Sequence, residues 1–572
     1  MTLNIRKDNA WVKLNHSKLG SITATASGAL SAGNPAILNS DGTVSKVAGS
    51  EITLNTDGAE NLFVDTNRFR GGRIIHVPDG DYFVVVYMRH TGNINEPPYE
   101  LKARAATVSS SGNITFGDEY TVVSSTSNLA QARAFNLCYD PDLKKVLCIW
   151  IYYNYDNNGD HNYFLRGKYI HSSDGGNTLT FGTENTNISN SNNQKKMMSF
   201  DYNTGINKFL LVYTEENGGD PNNHWDLEGQ VLTGSGDSIS AGSVVTLRTN
   251  QGGTEEARSS LSVVADATTS FIVTYYDEDD VNYPDDLVAL GVSVSGTTPT
   301  ASYYGNIGVA LTNSRTGMLE YNPDKNMFIA MYTTGNGVLM RLLTISGNTI
   351  SASSEISYGV STAEIKWGSL GYDPITKHIY LYYAKGTNPS FDYPYVAKLE
   401  ILSSTSINVA FISQINTTPI EYEGVTYTEY SSEHFWAAGL THHIFVYSKD
   451  NGNSSGHNIG KGVAKATKVQ NTNLTATNFL GFSKAAYSNN DTATINIVSS
   501  IDTNKSGLTP GQKYYVQGNG TLSTTPATPE VEGGVALSAT NLLISGSQMV
   551  GGSDKETLKR PFATKGWWIP FT

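Results

Sequence analysis

The chain has 572 residues, more than one ordinary core holds at roughly 100–200 residues per domain, and only 16% of them are charged. Its net charge is −13, and no basic run is longer than a pair such as Lys195-Lys196, which excludes nucleic acid as a partner. No apolar run reaches about 18 residues, so membrane insertion is not expected, and the opening MTLNIRKDNAWVKLNH lacks the apolar core of a secretory leader. Gly is abundant at 55 and Tyr at 33 outnumbers Phe at 19, a mixture that suits short strands joined by polar turns.

In chain order, residues 1–49 form an N-terminal segment whose stretch SGALSAGNPAILNSDGTVS, 27–45, reads as a hairpin turning at Asp41-Gly42. A repeat then begins. LCYDPDLKKVLCIW (137–150), FDYNTGINKFLLVY (200–213), LEYNPDKNMFIAMY (319–332) and LGYDPITKHIYLYY (370–383) share one form: a strand, a turn, then an apolar strand. In each, an aromatic follows the first Tyr by 11 residues: Tyr139 to Trp150, Tyr202 to Tyr213, Tyr321 to Tyr332, Tyr372 to Tyr383. Weaker copies end at Tyr87, Tyr275 and Tyr447. A third strand, a Ser-Gly-Asn or Ser-Gly-Asp turn and a Thr/Ser-rich fourth strand complete the unit.

The strands FVVVY (83–87), FLLVY (209–213), FIVTY (271–275) and MFIAMY (327–332) are nearly continuous apolar runs, the pattern of strands buried on both faces. An open array of such units leaves two bare apolar ends, whereas seven copies close a ring. The expected fold is therefore all-β, a seven-bladed β-propeller over 50–470, with residues 50–66 supplying an outer strand missing from the last blade. An open β-solenoid and a pair of sandwiches are the alternatives. Residues 506–523, SGLTPGQKYYVQGNGTLS, match the first hairpin and turn at Asn519-Gly520. Residues 471–545 are thus expected to form a small β domain with the N-terminal segment, leaving 546–572 as a tail.

The strings GNPAILNSDGTVS, TATNFLGFSKAAYSNNDTATINIV, GLTPGQKYYVQGNGTLS and GVALSATNLLI resemble a module of structural proteins in tailed phages, marine and cyanobacterial ones above all. The resemblance covers about 25–45 and 474–544. It implies a virion protein of tail-fibre or appendage type, made in the host cytoplasm, with other virion proteins as partners and a homo-oligomeric state. It implies nothing about catalysis.

Chemistry-bearing residues are sparse. His442-His443 occupy adjacent strand positions and face opposite ways, and His161, His171 and His224 lack ligand-spaced partners, so no metal is expected on them. Asp277, Glu278, Asp279, Asp280, Asp285 and Asp286 could offer oxygen ligands to Ca²⁺, but without EF-hand spacing they read as a solvated acidic loop. Cys138 and Cys148 flank a turn and read as buried thiols or a cross-strand bridge. The turn SSDGGNTL, 172–179, matches a structural turn of sialidase-like propellers, yet Arg68, Arg70, Arg73, Arg133 and Arg315 show no spacing that singles out a catalytic triad of arginines. No contiguous hydrolase, zinc-protease or nucleotide-binding motif occurs. The expectation is a protein that is not an enzyme and holds no cofactor.

Binding is the remaining reading. IYYNYDNNGDHNYF (151–164), EENGGDPNNHW (215–225) and NPSFDYPYV (388–396) set aromatics among amides and carboxylates, the composition of a carbohydrate-contacting surface. The candidate binding residues are Tyr152, Tyr153, Tyr155, Tyr163, Trp225, Phe391, Tyr393 and Tyr395, with a host-surface glycan or protein receptor as ligand. Trp567, Trp568 and Phe571, near the end of the tail, are candidate assembly residues, because apolar side chains of that size need a receiving surface. Two other roles stay open: a head, neck or tail decoration protein, and a polysaccharide hydrolase on a propeller.

Overall fold

The computed structural model describes residues 2–545 with breaks, the longer ones at 54–60, 91–98, 125–134, 156–160, 217–224, 250–260, 278–285, 309–316, 360–366, 416–435 and 450–459. Trp567, Trp568 and Phe571 lie outside the described residues. Among the described residues the regular structure is all β-strand, with no helix. The chain forms two units, Leu54–Lys468 and Met1–Thr53 with Val469–Thr572.

The larger unit is a succession of antiparallel meanders. Phe135–Asp140, Lys145–Tyr155, His161–His171 and Thr180–Phe181 make one four-stranded sheet in chain order. The sheets that open at Lys195–Asn203, Ser262–Ala265, Gly317–Asn322 and Trp367–Asp373 repeat this order. The strand Asn61–Val77 does double duty. Its second half pairs with Tyr82–His90, and its first half pairs with Gly460–Gln470 through Gly462↔Val64, Val463↔Leu62 and Ala464↔Asn61. The earliest and latest parts of the unit thereby share one sheet, and Trp436–Ala438 opens the late part. The opening strand of each sheet packs against that of the next, and Trp436–Ala438 packs back on Asn61–Val77. The result is a β-propeller-like arrangement, in which sheets radiate from their first strands.

The repeated sequence has a structural meaning in this arrangement. Trp150, Tyr213, Tyr332 and Tyr383 occupy one register, opposite Phe135, Met198, Gly317 and Gly368, and all four are buried. In five of these sheets the turn after the first strand places one residue in the left-handed region: Asp81, Lys144, Asn207, Asn326 and Lys377. The motif tyrosine reaches back to the preceding sheet's turn. Tyr202 donates to Asp142 Oδ2 at 2.8 Å, while Tyr139 donates to Asp79 and Tyr372 to Asp324. Lys144 and Lys377 pair with the same two aspartates at 2.8 and 2.7 Å. In four sheets the turn between third and fourth strands has only two residues, as in Ser346↔Thr349, and Gly347 there takes the positive φ that such a turn requires, whereas residues 172–179 and 109–113 make longer turns.

The thiols of Cys138 and Cys148 are free and buried. Cys138 faces Leu147 while Cys148 faces Leu137, so the two side chains leave opposite faces of the sheet and cannot bridge.

In the smaller unit, Ser21–Thr25, Pro35–Leu38 and Val44–Lys46 interleave with Phe479–Ser483 and Thr492–Asn496 in one sheet. A second sheet comprises Ile501–Asp502, Lys513–Val516, Leu522–Ser523, Glu532–Ala536 and Leu542–Ile544. The hairpins of the two sheets are copies. Asp41 Oδ1 accepts from the Thr43 amide at 3.0 Å and hydroxyl at 2.7 Å, and Asn519 Oδ1 accepts from Thr521 at the same two distances. Gly42 and Gly520 follow with φ of 85° and 82°, which a side chain would strain. The unit is thus a duplicated small β module, and the larger unit is inserted in the first copy between Ala48 and Asn473. The exposed surface of the second copy carries the ion pair Lys513–Glu532 at 3.2 Å, where the first copy has buried Pro35 and Phe479. A charged outer surface of this kind ends a stack of repeats.

Two substitutions separate the forces that hold the larger unit. Phe63 is buried among Phe69, Tyr87 and Phe116, with ring centroids 5.2–5.4 Å apart, in the strand shared by the earliest and latest sheets. Phe63→Ala is expected to cost about 3–5 kcal/mol, read as a lowered denaturation midpoint. Tyr202→Phe removes only the bond to Asp142 and is expected to cost about 1 kcal/mol in the same measurement.

Candidate functional site

In an antiparallel meander the turns alternate between the two ends of the sheet. One end carries the first-to-second and third-to-fourth turns. At the other lie the strand ends that lead to the second-to-third connections and to the next sheet. The candidate binding stretches fall at this second end.

The structure redraws them. Residues 151–155 and 161–164 are not loop but the outer rungs of a hairpin, paired as Tyr152↔Phe164, Tyr153↔Tyr163 and Tyr155↔His161. Tyr152 is half-buried, with its ring 6.4 Å from that of Phe164 and the Arg166 guanidinium 3.6 Å above it. Tyr163 is buried at 4% exposure, and Trp225, opening the strand Trp225–Ser235, is buried at 7%. Neither ring is available to a ligand, because strand alternation turns each toward packed neighbours. Tyr153, Tyr155 and Phe391 are placed by backbone register alone. Tyr393 and Tyr395 are half-buried on Phe391–Ser403, and Tyr395 lies 5.7 Å from Tyr383 between ring centroids. Tyr152, Tyr393 and Tyr395 are therefore the partly accessible rings of the candidate set.

A buried charged cluster stands near the same end, and the sequence reading missed it. Lys195 is fully buried, and its ammonium lies 3.3 Å from Glu215 and donates to the carbonyls of Ser191 and Asn193 at 3.0 and 3.1 Å. Glu228, opposite Tyr213 in the sheet, accepts from Thr246 Oγ1 at 2.8 Å. Burial raises the Glu228 carboxyl above the usual carboxylate range, with Glu215 and Asp226 adding to the rise and Lys195 and Thr246 opposing it. Burial likewise lowers Lys195, against the pull of Glu215 and Glu228. Two carboxylates and an ammonium held in this way have the composition of an acid–base set.

A cavity of about 110 Å³ is lined by the first strands of four sheets, which carry Asp201, Ser262, Glu320 and Ser369. At about 30 Å³ per molecule this is room for three or four waters, well below the roughly 300 Å³ at which ligand pockets begin. Asp201 is committed to structure, since it accepts from the Ala265 amide of the next sheet at 2.8 Å, as Ser199 does from Val263 at 3.0 Å. The histidines are structural too. His443 is buried 3.3 Å from Asp373 and 3.1 Å from the Tyr382 hydroxyl, and His442 is buried on the same strand. Among the described residues no group of three or more His, Cys, Asp or Glu could hold a metal. The acidic stretch 278–285 lies outside the described residues. In the turn 172–179, Asp174 accepts from the Thr178 amide at 2.9 Å and from the Ser172 and Thr178 hydroxyls at 2.6 Å, so its polar residues bond one another.

No family model and no curated protein matches the chain. Among solved structures it is similar to a fungal alcohol oxidase in complex with copper, at 9% identity and a TM-score of 0.43, over 77% of this chain and 92% of that one. It is similar to the β-fructofuranosidase of Bombyx mori at 8% identity and a TM-score of 0.29, over 78% and 95%. It is also similar to the α-L-arabinofuranosidase of Fusarium graminearum at 13% identity and a TM-score of 0.33, over 58% and 92%. At such identities the likeness concerns the fold alone. It nevertheless corrects the expectation that the chain is not an enzyme. These structures are enzymes, where a protein that is not an enzyme was expected.

The buried cluster yields two expected outcomes. Lys195→Met takes the ammonium from half-buried Glu215 and from the Ser191 and Asn193 carbonyls, and is expected to cost about 1–3 kcal/mol, read as a lowered denaturation midpoint. Glu228 has a folded pKa raised above the unfolded value of about 4.3, so its contribution to stability is present below that value and is lost as pH rises through the folded pKa. Glu228→Gln removes this loss, and its melting temperature relative to the natural chain is expected to be higher at pH 8 than at pH 4.

Proposed function

We propose that the chain is a seven-bladed β-propeller carried on a duplicated β module, and that it serves as a surface-binding protein of a tailed-phage particle. In this reading the propeller end with the second-to-third connections contacts a host-surface glycan, and the module unit joins the chain to other virion proteins. The observation that carries the binding role is the asymmetry of the propeller-like unit. One end carries first-to-second turns of nearly one form, and the other carries the partly accessible rings of Tyr152, Tyr393 and Tyr395 near the ends of paired strands. Partly exposed aromatics at one end of a rigid scaffold are a usual placement of a binding surface. The resemblance of the module sequences supports the virion setting. The tail, with Trp567, Trp568 and Phe571, supplies an assembly contact.

The test is adsorption. Particles carrying Tyr152→Ala with Tyr393→Ala are expected to adsorb to host cells at least about tenfold less well, while the purified chain melts within a few degrees of its natural counterpart. Unchanged adsorption would favour the decoration role, in which the chain contacts virion proteins only. The Lys195–Glu215–Glu228 cluster favours a second reading, hydrolysis of a bound polysaccharide. Release of reducing ends that disappears in Glu228→Gln would establish it.

A further inference from the structure

The outer strand Thr298–Gly308 contains an irregularity with a chemical consequence. Leu290 pairs with Tyr303 and Ala289 pairs with Gly305, so Tyr304 is an extra residue with no partner across the sheet. Gly305 takes a φ of 110° to let the strand rejoin its register. A bulge of this kind breaks strict alternation and re-aims side chains. Here it leaves two consecutive tyrosines on the surface, Tyr303 at 41% and Tyr304 at 39% exposure. Among the described residues most tyrosines of the larger unit are buried or half-buried, so an exposed adjacent pair stands out there. The Arg248 guanidinium, on the strand Val245–Arg248 of the preceding sheet, lies 3.8 Å over the Tyr303 ring and holds it in place. Val244, exposed at 43%, precedes that strand.

We propose that Tyr303 and Tyr304, with Arg248 as the residue that positions the first ring, form a binding platform for a neutral glycan. Exposed aromatic faces stack on the C–H faces of pyranose rings, and a ring already fixed by a stacked cation loses little freedom on binding. The net charge of −13 opposes approach of a polyanion, which selects neutral saccharides over uronate or sulfated ones. The platform rests on the glycan-binding reading above but lies on residues outside the stretches that reading used.

The experiment is titration calorimetry of the full chain with neutral gluco-, manno- and galacto-oligosaccharides, and with alginate oligosaccharides as the acidic counterpart. The natural chain is expected to bind at least one neutral series. Tyr303→Ala with Tyr304→Ala is expected to weaken that binding about 10–30-fold with an unchanged melting temperature. The corresponding double Phe variant, which keeps both rings, is expected to stay within about threefold of the natural chain. Neutral binding that survives the double Ala change overturns the platform while leaving the glycan reading intact. Preference for alginate overturns the neutral assignment, and a loss in the Phe variant equal to that in the Ala variant overturns stacking as the cause. Absence of binding to every oligosaccharide overturns the platform and counts against the glycan reading as well.

Discussion

A run of β-sheets that are apolar on both faces must end somewhere, and each end is an apolar surface in water. The strand Asn61–Val77 removes that cost by belonging to the earliest and the latest sheets of the larger unit at once. Everything else in this unit assumes that closure. The second strands are nearly continuous apolar runs because each is covered from both sides, and Val84, Val85, Ile149, Leu211, Ile272, Ile329 and Leu381 are all fully buried. The aromatic group of Phe63, Phe69 and Tyr87 sits where the shared strand changes partners, so the residues that close the unit also fill its core.

Neighbouring sheets are further tied by polar groups, and these explain why the repeat is strongest around Tyr-Asp-Pro-Asp. The first strand of each sheet has one backbone edge with no strand beyond it, and buried edges need partners. Asp201 and Ser199 serve the amides of Ala265 and Val263, and Asn203 donates to the carbonyls of Asp266 and Ser270 at 3.1 Å. The motif tyrosine then reaches the preceding turn. A motif that supplies both the donor for one neighbour and the acceptor for the other is under the same demand at every sheet. Where the ring is absent, at Ala265, that link is absent too.

The all-β class and the hairpin units were legible because both are local: apolar runs with aromatic ends report strands, and Asn-Pro-Asp or Ser-Gly reports the turn beside them. The candidate rings were harder. Asn and Asp among the tyrosines of 151–164 imitate a loop, whereas cross-strand pairing extends the strands as far as Tyr155 and from His161. Tyr163 and Trp225 then fall on positions turned inward, a matter of register that composition does not carry. Lys195 and Glu228 lie on different strands and meet only through the sheet, so no spacing announces them. The bulge at Tyr304 is invisible for the same reason, since it exists only relative to the partner strand. The inference against catalysis failed differently: it treated missing contiguous motifs as informative, although acid–base groups in a repeat fold come from separate strands.

The junction of the two units has a mechanical meaning. Where the chain leaves the smaller unit and where it returns are clamped together, with the Ala48 amide donating to Asn473 Oδ1 and Asn473 Nδ2 donating to the Lys46 carbonyl, both at 2.8 Å. A pull applied between the strands Ser21–Thr25 and Leu542–Ile544 therefore travels across the paired sheets of the smaller unit. It does not run along residues 49–472, although the covalent path does. Within the smaller unit, therefore, the clamp and the duplicated hairpins would yield before the covalent detour through residues 49–472 is drawn taut.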